Sequence, residues 1–398
     1  MIQADNTKSY LLKIDKERIY QTITKLEGPR YPLDNMDALN AAADYIAKEL
    51  ISYGLKVEMQ EFKIEGMDDT FKNVIGYLGD QSSPSILLGS HYDTVPDCPG
   101  ANDNLSGVAI SMEVARVLAQ MEHPPSVIVA VFTLEEGHPW IRKQIRDDCL
   151  KHGIVDHKFR FTSAKMGEFR KSLDILVTKH VQQRKKRVEA IEAAKEELAG
   201  QLSEHETLYL DILIEATRSV VDKSPFSISS ALVGSHHYVE KITQDKTKIK
   251  EAIVFDTVGW IRKEHHTQKS LPIPQEMTQL HKVDLENLVG DFVAIIGDKN
   301  THVLLKQFLT NCEDETIDVP YFGINLPFGY PEIAANIPDL LRSDHAPFWE
   351  AGIPALFLAD TANFRSELYH TPADTSASVD FETLTKLAQA TMKTILGE

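Results

Sequence analysis

Cysteine is nearly missing from this chain. Of 398 residues only Cys98, Cys149 and Cys312 are cysteines, and no two form a Cys-x-x-Cys pair. That excludes a disulfide framework and leaves no thiolate set for a structural zinc site. Long apolar runs are lacking too; none approaches the roughly 20 residues of a membrane-spanning helix. Positive charge is the minority, with 42 Lys and Arg against 59 Asp and Glu and a formal net charge of −17. Phosphate backbones and anionic membranes need a basic surface, so neither nucleic acid nor a membrane is expected as partner. The opening MIQADNTKSYLLKIDKERIYQ alternates charge with apolar residues and has no apolar signal-peptide core, which predicts a cytoplasmic location. The length exceeds one compact core and predicts a large domain with an insertion, or two domains.

What is present reads as alternating helices and strands. Leu39, Ala42, Ala43, Ile46 and Leu50 recur at helical spacing over 37–53, and Gly54 follows as a stop. LKVEMQEF (55–62) and NVIGYLG (73–79) are strand candidates, and Ile86–Ser90 is a short apolar run of the buried-strand kind. A helix is expected over 105–119, with Asn104 as N-cap. SVIVAVF (126–132) is the clearest buried strand; 253–255 and 353–358 are others, and 381–396 reads as a closing amphipathic helix. This pattern predicts an α/β fold with a mixed, mostly parallel central sheet flanked by helices. Residues 138–230 break it. They are charged and helical in character, with Val188, Ile191, Leu198 and Leu202 on a stripe interrupted by Lys195.

Strand ends are where α/β folds place chemistry. Here ILLGS runs into His91-Tyr92-Asp93, VIVAVFTL into Glu135-Glu136, and AIVF into Asp256, while IPALFL leads to His370. A turn, Gly100-Ala101-Asn102-Asp103, precedes a helix. Imidazole and carboxylate groups without thiolates suit a catalytic zinc site with open positions. Two metals need a carboxylate between them and a free carboxylate to handle protons. Each residue alone is an ordinary surface or structural group. A carboxylate pair at the end of a buried run is not ordinary, because buried charge needs a partner.

These segments resemble one family. GSHYDTV (89–95), PGANDNLSGVAISMEVARVL (99–118), VFTLEEG (131–137), VFDTVG (254–259), SDHAPFWEAGIPALFL (343–358) and YHTPADT (369–375) occur in the order found in the co-catalytic zinc aminopeptidases of metallopeptidase clan MH. That group also includes glutamate carboxypeptidases and glutaminyl cyclases. GPRYP (28–32) and NVIGYLG fit as well. The resemblance implies a zinc-peptidase sandwich fold and two zinc ions, with cobalt or manganese as substitutes. It implies that His91 and Asp256 hold one ion, Glu136 and His370 the other, and Asp103 both. Asp93 would orient His91, and Glu135 would be the general base, taking a proton from the attacking water and passing it to the leaving amine. Asp344 and His345 would lie beside the site, in support or in catalysis. Short peptides are the implied substrates.

Two departures stand out. Asn102 replaces a common Asp. The family text after the Glu-Glu pair is split, with Gly137 ending one half and Ala231-Leu232-Val233-Gly234-Ser235 resuming it. This divides the chain into a catalytic domain, 1–137 with 231–398, and a helical insertion, 138–230, that serves as a lid over the site or as a homo-oligomer contact. A carboxypeptidase, with Arg342 or Arg365 clamping a terminal carboxylate, a glutaminyl cyclase and a non-catalytic binding module are the alternatives to an aminopeptidase.

Overall fold

A computed structural model describes residues 8–157, 159–183, 185–221, 231–271 and 273–397. The first residues of the chain and residues 222–230 of the expected insertion lie outside the described residues.

After a helical turn at residues 8–11 comes helix α1 (Lys16–Leu26), whose N-cap Asp15 accepts from the Glu17 amide at 2.9 Å. Helix α2 (Met36–Ser52) buries the expected Leu39, Ala42, Ala43, Ile46 and Leu50, and Gly54 follows at φ +95°. Then come β1 (Lys56–Lys63), β2 (Thr70–Leu78), β3 (Ser85–His91), α3 (Leu105–Leu118) and β4 (Val127–Phe132). Four helices follow: α4 (Pro139–Lys151), α5 (Ala164–Gln182), α6 (Arg187–Glu197) and α7 (Glu204–Val221). The sheet resumes after α8 (Val233–Gln244) with β5 (Ile249–Phe255), β6 (Thr278–His281), β7 (Val293–Gly297), α9 (His302–Cys312), β8 (Tyr321–Asn325), α10 (Tyr330–Asn336), α11 (Ala346–Glu350), β9 (Ala355–Ala359) and α12 (Phe381–Ile395).

The nine strands form one sheet in the order β1-β2-β4-β3-β5-β9-β7-β8-β6. The α/β expectation holds, with one correction. Parallel pairing is confined to β4-β3-β5-β9 and β7-β8, and the other four pairings are antiparallel. The four central strands therefore point the same way and bring their C-terminal ends to one edge.

The period of two sorts each strand between two apolar layers. Val127, Val129 and Val131 of β4 face one layer with α1, α2, α3 and α12; Ile128, Ala130 and Phe132 face the other with α8 and α11. Both faces are covered, so β3 and β4 are buried throughout. Each fully buried Val, Leu or Ile contributes about 1.5–3 kcal/mol, and α3 is buried on nearly every residue.

Helices α4–α7 carry an apolar layer of their own, including Cys149, Leu173, Ile191, Tyr209 and Leu210. The stripe expected over 188–202 is not one continuous helix. It turns after Glu197, with Gly200 at φ +81°, yet Ile191 and Leu202 both pack into this layer. Lys195 pairs with Asp211 of α7, so its charge is answered within the segment. The segment is also fastened to the sheet domain. Trp140 of α4 stacks so closely on the turn after β1 that a Cβ on Gly66 would sit 2.8 Å from its ring, and Arg146 pairs with Asp34 at 2.7 Å.

Candidate metal centre

The C-terminal ends of the four parallel strands meet at one place. His91 ends β3, Asp256 follows β5 directly, Glu135 and Glu136 follow β4, and His370 lies on the loop after β9. Asp103 comes from the turn capping α3, where Asn104 accepts from the Gly107 amide at 3.2 Å.

His91 Nε2 lies 3.3 Å from Asp103 Oδ1, 3.6 Å from Asp256 Oδ1 and 3.8 Å from Glu135 Oε2. His370 Nε2 lies 3.2 Å from Asp103 Oδ2 and 3.1 Å from Glu136 Oε2. Ligand atoms of His91, Glu135 and Asp256 gather within 4.8 Å of one another, as do those of His91, Asp103 and Glu136. All seven residues singled out in the sequence are thus brought together, Asp93 through its contacts behind His91.

The donor chemistry fits zinc. Nε2 of His91 and Nε2 of His370 are buried without a hydrogen bond, a costly condition unless a cation accepts their lone pairs. Without one, the cluster stores protons. Burial opposes charge on His91, but facing Glu135, Asp103, Asp256 and Asp93 outweigh it and push its pKa well up. Burial likewise opposes charge on His370, and Glu136 and Asp103 raise it to about 10. Burial raises Glu135, with the neighbouring charges of Glu136 and Asp256 adding to it and His91 opposing. It raises Glu136 too, reinforced by Asp103. Burial works against the Asp103 carboxylate, but His370 and His91 overcome it and hold the group low.

Backbone contacts fix these side chains. Asp93 Oδ1 accepts from the Glu135 amide and Oδ2 from the Glu136 amide, both at 3.1 Å, and Oδ1 is 3.5 Å from His91 Nδ1. One carboxylate therefore aligns the imidazole and both glutamates. Leu134, just before the pair, sits at φ +57°, a left-handed geometry unusual for leucine. The amides of Leu232 and Val233 donate to the carbonyls of Glu135 and Leu134, both at 3.0 Å. Residues 134–135 and 232–233 thus rejoin across the helical segment. Gly234 is forced here: a Cβ would sit 2.1 Å from the Thr133 carbonyl oxygen and 2.6 Å from Asn73 Oδ1.

Sequence reasoning gave no role to Asp374, Asp360 or Arg30. Asp374 Oδ1 accepts from the Asn102 amide at 2.8 Å and Oδ2 from the Asp103 amide at 3.0 Å, so the loop that carries His370 also holds the Asp103 turn. Burial and Asp103 raise its pKa to about 7. Asn102, the departure from Asp, donates through Nδ2 to Asp360 at 2.8 Å and accepts from the Gly259 amide at 2.7 Å. Buried Arg30 donates to the carbonyls of Leu26, Gly28, Tyr92 and Pro99 behind the site. For Asp374, four positions after His370, that spacing was the only signal; Asp360 and Arg30 carried none.

The remaining candidates separate. Asp344 is fully buried beside the cluster, its pKa raised to about 7 by burial, with Asp256 and Asp93 adding to the effect and His91 opposing. His345 is a packing group: Nε2 contacts the Leu340 carbonyl at 2.7 Å, the ring stacks on Phe357 at 4.1 Å, and burial lowers its pKa to about 3. Arg365 is engaged by Gln268 and by the carbonyl of Phe292, both at 2.7 Å. Arg342 stays exposed near Glu135 and Glu136.

The sequence model of Peptidase family M28 matches residues 73–142 and 327–395. The uncharacterized protein YfbL of Escherichia coli is 25% identical over 384 residues, covering 94% of this chain and 83% of its own length. A probable zinc metalloprotease of Pyrenophora tritici-repentis is 32% identical over 160 residues, 33% of either chain. The crystal structure of the LapA aminopeptidase of Legionella pneumophila superposes with a TM-score of 0.56 at 16% identity, over 98% of this chain and 73% of that one. The Bacteroides thetaiotaomicron glutaminyl cyclase also gives 0.56 at 16%, over 97% and 99%. Over these segments the chain is similar to Peptidase family M28 and to probable zinc metalloproteases. No helix among the described residues is long and apolar enough to cross a membrane.

Proposed function

We propose that this protein is a two-zinc exopeptidase that removes N-terminal residues from short peptides. The observation that carries the reading is Asp103. Its two oxygens face different histidines, Oδ1 toward His91 Nε2 at 3.3 Å and Oδ2 toward His370 Nε2 at 3.2 Å. A carboxylate that divides its oxygens in this way suits a bridge between two ions.

His91 and Asp256 would then hold one ion, Glu136 and His370 the other, and Asp103 both. Cobalt or manganese would suit the same nitrogen and oxygen donors. Bound zinc supplies Lewis acidity, lowering the pKa of water and polarising a carbonyl oxygen. Glu135 is buried beside both sets and is the proton carrier: it takes a proton from water and returns it to the leaving amine. Asp93 holds the Glu135 amide and the His91 ring in register for that exchange.

The glutaminyl cyclase fold superposes equally well, so substrate decides between the two readings. The test is the zinc-loaded protein with free-amine peptides, N-blocked peptides and peptides beginning with glutamine. Cleavage of free-amine peptides alone is expected. Release of ammonia from N-terminal glutamine without cleavage would refute the peptidase reading.

A further inference from the structure

Strand β4 leaves its neighbour just before it delivers the two glutamates. Pairing of β2 with β4 runs from Leu78–Val127 to Val74–Val131 and ends there, although β2 continues beside β1 as far as Thr70. Past that last pair, the buried Thr133 amide donates to a side chain, Oδ1 of Asn73, at 3.0 Å. Asn73 is the β2 residue next to the last pair and is fully buried. Its Nδ2 donates to the Gly234 carbonyl and to Gln60 Oε1, both at 2.8 Å. Gln60 Nε2 in turn donates to the His237 carbonyl at 3.1 Å, and Phe62 of β1 stacks on the His237 ring at 4.2 Å. The edge of the sheet thus reaches, through Asn73, both the end of β4 and the start of α8.

One side chain therefore holds both sides of the junction from which the helical segment springs. Between its two contacts, each side passes through a fully buried left-handed leucine, Leu134 at φ +57° and Leu232 at φ +58°. Residues other than glycine keep that conformation only where their surroundings dictate it. Here the surroundings are the backbone bonds from Val233 to Leu134 and from Leu232 to Glu135 and, outside them, Asn73. A carboxamide is needed for the task. Thr133 presents an N–H and Gly234 a carbonyl, so the group between them must accept on one side and donate on the other. Leu134 is the last residue before Glu135, so its geometry sets where that carboxylate points. Misplacing a reacting group by about 1 Å costs roughly 10²-fold in rate.

We propose that Asn73 is a positioning residue for Glu135: it clamps the Thr133–Glu135 turn against the start of α8 and so aims the proton carrier. This rests on the exopeptidase reading, in which Glu135 moves the proton. Glu136 has further restraints, its amide bond to Asp93 and its contact with His370, so the effect of Asn73 falls on Glu135.

The test is a double-substitution cycle on the zinc-loaded full-length protein, with hydrogen exchange over residues 131–137 as a readout separate from turnover. Asn73→Ala should lower kcat by roughly 10–100-fold, with KM within about twofold and zinc content unchanged. Exchange over 131–137 should quicken by about tenfold or more. In a Glu135→Gln background the same substitution should change the residual turnover by less than about twofold, because the group that it aims is gone. Asn73→Asp keeps an acceptor for Thr133 but turns an oxygen toward the Gly234 carbonyl, and should fall between the wild type and Asn73→Ala. An equal loss in both backgrounds would make Asn73 merely structural and overturn the proposal. Zinc lost in step with turnover would move the effect to the ligands and overturn it as well. If Asn73→Ala does not fold, Gln60→Ala, at a half-buried position, takes its place in the cycle. A smaller loss of kcat that vanishes in the Glu135→Gln background is then expected, and unchanged kcat and exchange would refute the role. If the wild type cleaves nothing, the exopeptidase reading fails and exchange alone decides. Faster exchange over 131–137 in Asn73→Asp upholds the clamp; unchanged exchange refutes it.

Discussion

Replacing Asp93 by Asn tests how the centre is held. Asp93 accepts two backbone hydrogen bonds at 3.1 Å, from Glu135 and Glu136, in a buried setting. An asparagine keeps one acceptor oxygen and turns an NH2 group toward the second amide. A lost bond to a charged acceptor, with a buried donor left bare, costs about 2–3 kcal/mol. The His91 ring also loses the carboxylate 3.5 Å from its Nδ1. Outer partners of this kind typically change metal affinity or activity by roughly 10–100-fold. Thermal unfolding of the metal-free protein should therefore fall by several degrees, and zinc affinity should drop by at least tenfold. Asp93→Ala should cost more, because both amides lose their acceptor. An Asn variant with unchanged unfolding temperature and unchanged zinc affinity would refute the role given to Asp93.

Other substitutions probe other parts. Gly234→Ala should destabilise by about 3 kcal/mol or more, because the added carbon meets backbone at 2.1 Å and cannot be relieved by a side-chain shift; thermal unfolding would show it. Lys393 of α12 and Thr316 hold the Asp314 carboxyl down at about 2. The folded value lies below the unfolded one, so this stabilisation is full above about pH 4 and is lost as pH falls toward 2. On the order of 1 kcal/mol should be involved after solvent screening, and Lys393→Ala should flatten acid unfolding over that window. Zinc uptake should release protons, since His91 and His370 are held charged when no cation is bound; calorimetry in buffers of differing ionisation enthalpy measures the number.

The central strands and their ligand-bearing ends were legible in the sequence because burial on both faces makes β3, β4 and the last four residues of β5 short runs of buried residues that stop abruptly at candidate ligands. The edges were not. β6 is half exposed and short, and β7 and β8 carry no site residue to mark them, so the antiparallel pairings that make the sheet mixed went unread. The stripe 188–202 had helical spacing, but Gly200 turns the chain between α6 and α7, and packing decides which residues meet. Asp374 and Asp360 look like ordinary loop acids in sequence; only the fold shows them gripping the Asp103 turn.

The central claim is two ions bridged by Asp103, with Glu135 outside the ligand set. Zinc equivalents and turnover of the wild type, Glu135→Gln and Glu136→Gln, each stripped and reloaded, test it most directly. The account predicts two equivalents in the wild type and in Glu135→Gln, with turnover of the latter lower by on the order of 10²–10⁴-fold, and weakened binding of one ion in Glu136→Gln. Saturation of the wild type at one equivalent with full activity, or loss of metal from Glu135→Gln but not from Glu136→Gln, would contradict it.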